Sequence, residues 1–146
     1  MDVIIFSIDG QYFALDLAII HRVVLAAEIT PLPHAPEIIM GAINIQGVVT
    51  PVINMRKVLG FPGREVELND QMILCGLHGK TMALWVDGVI KIGTFGNEQL
   101  IPANQVLTNS DGVEHVIKDQ GRLILLYDLE QLLSSQESSL STMKVL

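Results

Sequence analysis

The sequence predicts a mostly β fold built from two related lobes, each a small barrel plugged by a short helix, sharing one core. Three observations predict it. Short runs of aromatic and β-branched residues recur between Gly, Pro, Asn and Asp, the pattern of strands and turns. A hairpin followed by a strand and a short helix occurs twice, in the same order. A chain of 146 residues is near single-domain length and can bury roughly 68–70% of its unfolded surface without staples.

The elements follow along the chain. VIIFSI, Asp9-Gly10 and QYFALDL read as a hairpin, because Asp-Gly supplies the positive φ values of a tight turn. LAIIHRVVLAAEI (17–29) fits neither the strand nor the helix period. Pro31, Pro33 and Pro36 make TPLPHAPE a stiff loop that cannot enter a sheet interior. GAINIQGVVTPVINMRKVLG (41–60) is apolar yet glycine-rich, and reads as a kinked strand pair with Pro51 at an edge or bulge. GREVELND, with Glu65, Glu67 and Asp70, reads as a solvated connector. MILCGL, His78-Gly79 and KTMALWVDGV give a second hairpin. VEHVIKDQG (113–121) reads as a strand leading to a turn at Gln120-Gly121, and RLILLYDL as the strand after it. After Leu133, SSQESSLST reads as a flexible tail.

The internal echo carries the two-lobe reading. Displaced by 69 residues, the first hairpin lies over the second, with Ile4 on Ile73, Gly10 on Gly79, Ala14 on Ala83 and Leu15 on Leu84. Displaced by 74, PVINMRKVL lies over LLYDLEQLL, with Val52 on Leu126 and Asn54 on Asp128. Asn54 and Asp128 are each placed to cap a short helix, since their side-chain oxygens accept from the free N–H groups of a first turn. The expected division is 1–133 for the intertwined lobes, with repeat units near 3–59 and 72–133, and 134–146 for the tail.

Composition excludes several functions. The net charge is −7 and the nine basic residues are scattered, which argues against nucleic acid and anionic membranes. No apolar run is long enough for a membrane span, and the N-terminus lacks a signal-peptide pattern, so the expected location is cytoplasmic. The lone Cys75 forms no internal disulfide and reads as a small buried hydrophobe. His21, His34, His78 and His115 show no metal-ligand spacing. HGKT (78–81) lacks the preceding glycine of a phosphate loop, and no GxSxG elbow occurs. Asp16 and Asp87 read as strand ends. The expectation is therefore no catalysis, no metal and no cofactor.

High apolar content, 49%, with only 17% charged residues fits either a generous core or an apolar surface that a partner covers. Gly41, Gly47 and Asn44 likewise fit either a barrel corner or an open groove between the lobes.

The stretch GAINIQGVVTPVINMR resembles the signature of the CheW-like domain, roughly G-x-x-N-x-R-G-x-x-x-P-[VI]-[VI]-[DN]-[LM]-R. The first hairpin, APEIIMGAIN, ALWVDGV and LILLYDLEQLL match in family order, over about residues 3–133. The resemblance implies a pair of five-stranded SH3-like barrels on a shared core, and an adaptor that does no chemistry. The implied partners are the regulatory domain of a CheA-type histidine kinase and the cytoplasmic tips of methyl-accepting chemoreceptors. Ile20, Arg22, Met40, Gly41, Asn44, Gln46 and Ala83 then fall at places of partner contact. Three of these depart from the family. Glu is usual where Arg22 stands, Arg where Gln46 stands, and a basic residue where Met40 stands. Charge reversal at an interface changes which partners are tolerated. The competing expectation is a small-molecule barrel, which requires an apolar pocket of a few hundred Å³ between the lobes, about the size of ordinary ligand sites.

Overall fold

The computed structural model describes residues 1–108 and 111–136. Eleven strands and two short helices follow in chain order among them. The first half holds β1 (Asp2–Ile8), β2 (Gln11–Asp16), β3 (Ile20–Leu25), β4 (Ile39–Ile45), β5 (Val48–Asn54) and α1 (Met55–Val58). The second holds β6 (Gln71–Leu77), β7 (Lys80–Val86), β8 (Gly88–Thr94), β9 (Leu100–Pro102), β10 (Val113–Asp119), β11 (Arg122–Tyr127) and α2 (Leu129–Ser134).

Turn chemistry sets the hairpins. Asp9 and Gly10 sit at φ 50 and 77, which lets β1 turn directly into β2. Gln46 and Gly47, at φ 50 and 85, do the same between β4 and β5. Gly47 of the 41–60 stretch therefore serves a hairpin tip. His78-Gly79 joins β6 to β7, and Gln120-Gly121 joins β10 to β11. Both predicted helix caps form. Asn54 Oδ1 accepts from the Lys57 N–H at 3.1 Å, and Asp128 Oδ1 from the Gln131 N–H at 3.2 Å.

The segment that fitted no period has a physical reason. Leu17–Ile19 forms one 3-10 turn, capped by Asp16, and β3 then carries a bulge at His21. An extra residue in one strand shifts the side-chain alternation by one. β8 carries the same device at Ile90, between Val89, opposite Phe6, and Lys91, opposite Ile5. Ile90 is the 69-residue counterpart of His21, so the bulge is part of the repeat.

Two sheets result. One has six strands, in the order β8-β1-β2-β11-β10-β9, and the other has five, in the order β3-β6-β7-β5-β4. The mostly β, two-lobed architecture agrees with expectation, with two corrections. One lobe has six strands, because the short β9 pairs with β10. The sheets are open ladders, since the hydrogen-bonded order of each begins and ends on different strands. Pro51 lies where β5 pairs with β4 alone, just before its pairing with β7 begins at Val52, so its missing N–H breaks no ladder.

Each sheet mixes the two repeats. The first hairpin, β1–β2, is completed by β11 of the second repeat, in parallel, with Ala14 opposite Leu126. The second hairpin, β6–β7, is completed by β5 of the first repeat, with Ala83 opposite Val52. These are the residue pairs that the two displacements superpose. Both sheets thus use one register, and each repeat lends its hairpin to the other.

Three apolar clusters follow from strand alternation. Val3, Ile5, Ala14, Ile117, Ile124 and Leu126 line the inside of the six-stranded sheet, with Phe95. Ile43, Val52, Met72, Leu74, Ala83 and Trp85 line the inside of the five-stranded one. The alternate residues face the other lobe: Ile4, Phe6, Ile8, Phe13 and Leu15 meet Ile73, Cys75, Met82, Leu84 and Val86, with α1 and α2 contributing Met55, Leu129 and Leu133. Strands β1, β2, β6 and β7 are buried on both faces, which is why they read as unbroken apolar runs. Residues 137–146, most of the expected tail, lie outside the described residues.

Candidate functional site

The seven candidate contact residues all lie on the five-stranded sheet or the turn at its edge. Ile20 and Arg22 are on the end strand β3, on either side of the bulged His21. Arg22 is exposed and Ile20 half-buried. Met40, Gly41 and Asn44 are on the opposite end strand, β4, and Gln46 is at its hairpin tip. Asn44 and Gln46 are exposed, and Asn44 Oδ1 accepts from the Gly47 N–H at 2.8 Å, which fixes the tip. Met40 is half-buried and packs on the interior cluster, as does Val24 of β3. The two end strands therefore share one core beneath their outer surfaces.

Gly41 and Ala83 are not surface groups. Ala83 is wholly buried on β7. Gly41 has φ +151 and lies against the segment before the proline loop, where Thr30 and Ala42 exchange two backbone hydrogen bonds of 2.9 Å. A Cβ at Gly41 would lie 2.9 Å from Ile29 Cγ2 and closer still to the Thr30 carbonyl oxygen. Here glycine permits a close approach within the chain itself.

Exposed apolar side chains occur beside the β4–β5 turn and on β8, an end strand of the other sheet. Val48 and Val49 flank the Gln46 tip, and Val49 is 74% exposed. Ile90 and Ile92 on β8 are exposed at the positions that match His21 and Val23 in the other repeat. The sequence reading missed Ile90 and Ile92. The repeat offset held the signal, but an extra residue hides it until the bulge is seen.

The charged residues form one network, which the sequence reading also missed. Arg56, on α1, is 3% exposed. It donates to Asp87 Oδ2 at 2.8 Å, to the Pro62 carbonyl at 2.9 Å and to Asp9. Arg64 makes a paired contact to Asp70, both bonds 2.8 Å, and reaches Asp87 at 2.9 Å. Asp70 also accepts from the Glu67 N–H and the Trp85 indole N–H, at 2.7 and 2.9 Å. Asp70 is only 3% exposed, which corrects the reading of 63–70 as a solvated connector at that residue, whereas Glu65 and Glu67 are exposed as expected. A polar flank made it look like a loop, but Arg64 and Trp85 draw the carboxylate inward.

This network is structural in its chemistry. Burial pushes the Asp70 carboxyl up, but Arg64, the Glu67 N–H and the Trp85 indole outweigh it and hold it below the ordinary range. Burial pulls the Arg56 guanidinium down, and Asp9 and Asp87 more than restore it. Every carboxylate is matched to an arginine, leaving no poised acid or base. Burial pushes the Cys75 thiol up to about 12, far from a nucleophile's range. Among the described residues no three His, Cys, Asp or Glu side chains converge as metal ligands. The seam between the lobes is filled by the largest apolar cluster. A groove of about 500 Å³ lies elsewhere, between residues 26–29 and 66–68.

Comparison with known proteins places these features. A family model for the CheW-like domain matches residues 2–137. Chemotaxis protein CheW of Rhizobium meliloti is 25% identical over 138 residues, covering 93% of this chain and 89% of that protein. Chemotaxis protein CheW of Thermotoga maritima is 28% identical over 132 residues, covering 90% and 87%. The crystal structure of the scaffolding protein TtCheW from Thermoanaerobacter tengcongensis superposes with a TM-score of 0.81 at 28% identity, over 90% of this chain and 91% of that one.

Proposed function

The chain belongs to the CheW-like domain family, and from that membership we propose that it is a non-catalytic adaptor coupling chemoreceptors to a CheA-type histidine kinase. The observation that carries this reading is the family match across nearly the whole chain, joined to a structural relative described as a scaffolding protein. The charge network is consistent with it, because each of its carboxylates is bonded to an arginine. The small-molecule alternative finds no support, since side chains occupy the seam where its ligand would sit.

We place partner contact on the end strands of the five-stranded sheet. Ile20 and Arg22 present one part, and Met40, Asn44 and Gln46 the other. Gly41 and Ala83 act from beneath, setting how closely the strands approach. Exposed Val48 and Val49 supply apolar area at the tip. The partners are the kinase's regulatory domain and the cytoplasmic tips of methyl-accepting chemoreceptors, and the protein works in the cytoplasm. No helix among the described residues is long and apolar enough to cross a membrane.

Calorimetric titration with the cognate kinase regulatory domain and receptor signalling domain tests the proposal. Saturable heat with either supports it. Absence of heat with both, up to about millimolar, the weak limit of specific association, removes it.

A further inference from the structure

The groove between residues 26–29 and 66–68 lies at the far end of β3 from Ile20 and Arg22. β3 is Ile20–Leu25, so the mouth of the groove at Leu25 is about 17 Å from Ile20 and about 10 Å from Arg22 at a strand's rise of about 3.3 Å per residue. Two irregular segments form its walls. Ala26, Ala27 and Ile29 line one side, and Val66 and Leu68 the other. Leu68 is 90% exposed and Leu25, at the mouth, is 66% exposed. Bulky apolar side chains left this open mark interaction surfaces when they border a concavity.

The groove is held in shape from below. The Ala26 N–H donates to the Asp70 carbonyl at 2.9 Å, and the Asp70 N–H to the Glu67 carbonyl at 3.0 Å. The Asp70 side chain ties the same segment to Arg64 and Trp85. A partner would therefore meet a formed surface, which lowers the ordering cost of binding.

Its rim is acidic. Glu28 and Glu67 line it and Glu65 lies beside it, all exposed. The nearby cation, Arg64, has its bonds on Asp70 and Asp87, and stands 4.0 Å from the Glu67 carboxylate. An apolar floor rimmed by three carboxylates, with a single arginine near them, complements an apolar side chain flanked by cations.

We infer that this groove is a second docking site, for a partner-protein segment that presents a bulky apolar residue between Lys or Arg side chains. The inference does not rest on the adaptor reading, but it gives an adaptor a second place to hold. The groove adjoins the candidate contact surface at Ile29, which packs against Gly41.

The test uses the full chain and a synthetic, N-acetylated, C-amidated hexapeptide alternating Lys and Leu, followed by fluorescence anisotropy. Three variants are compared with the parent protein: E28K/E67K and L25S/L68S in the groove, and E98K as a control on the exposed, distant Glu98. All three change exposed positions, and circular dichroism checks that they fold. The expected result is saturable binding, weakened by about tenfold or more in both groove variants and unchanged in E98K. Equal weakening in E98K would mean that general acidity, not the groove, attracts the peptide. No binding by the parent protein, or unchanged binding in the groove variants, would overturn the site. Sedimentation showing a dimer that L25S/L68S dissolves would assign the groove to a second copy and overturn the basic-segment proposal. None of these outcomes bears on the kinase and receptor titrations.

Discussion

Arg56, on α1, is bonded to Asp9, at the tip of the hairpin that belongs to the other sheet. The second repeat has an equivalent contact: His78, at the β6–β7 tip, places Nε2 3.1 Å from the Glu130 carboxylate of α2. His78 is the 69-residue counterpart of Asp9, and Glu130 the 74-residue counterpart of Arg56. Each hairpin tip thus clamps the helix that closes the opposite sheet. One clamp is buried and reinforced by Asp87, and the other is more than half exposed.

The clamps should differ in strength. Arg56→Ala deprives Asp9 of its arginine and Asp87 of one of its two, and should cost about 1.5–3 kcal/mol, the range for hydrogen bonds to charged groups. His78→Ala removes an exposed pair and should cost under about 1 kcal/mol. Urea unfolding of both variants at pH 7 measures this. Similar midpoints would show that the buried network is dispensable.

Asp70 should set part of the acid limit. Its carboxyl is held below the ordinary value in the folded state, so its contribution is complete above the unfolded value, about pH 3.9. It is lost as pH falls through the lower, folded value. Asp70→Asn should therefore be less stable than the parent at pH 7, and the gap should narrow below about pH 4. Denaturant midpoints across that range give the gap directly. A constant gap would mean that Asp70 acts through packing alone.

Gly41 and Gly47 should respond differently to alanine. At Gly47 the added Cβ meets open space, and only the positive φ opposes it, by about 1–2 kcal/mol. At Gly41 the Cβ also runs into the Thr30 carbonyl and Ile29, so the β4 edge must shift. Thermal unfolding should show a larger loss for Gly41→Ala, and amide exchange should rise at Thr30 and Ala42. A smaller loss at Gly41 would contradict the close approach.

Gln46→Arg places a cation at an exposed hairpin tip. It should leave stability within about 0.5 kcal/mol, as for most surface changes. It should raise affinity for an acidic receptor tip several-fold, mainly through a faster, salt-dependent on-rate. Surface plasmon resonance at two ionic strengths reads both. Unchanged kinetics would move the receptor contact away from this tip.

Much of the fold is written locally. Asp9-Gly10 fixes its hairpin because a two-residue turn fixes register. Asn54 and Asp128 fix helix starts, because capping involves only the next three residues. The offsets of 69 and 74 even place Ala14 on Ala83 and Val52 on Leu126, the positions that carry the same register in both sheets. The Gln46-Gly47 turn, held by Asn44, is short-range information of the same kind.

Only the tertiary structure decided which strand completes which hairpin. The two closing strands share one apolar pattern and one register, so the sequence offers β1–β2 both β5 and β11 on equal terms. In the exchanged arrangement each hairpin buries one face inside its own sheet and the other against the opposite lobe. The same holds for Asp70. Its neighbours in sequence are polar and glycine-rich, and its burial depends on Arg64 and on Trp85, 15 residues away on another strand. Patterns of three or four residues fix turns, caps and alternation, whereas strand exchange and charge burial depend on contacts that exist only once the chain has closed on itself.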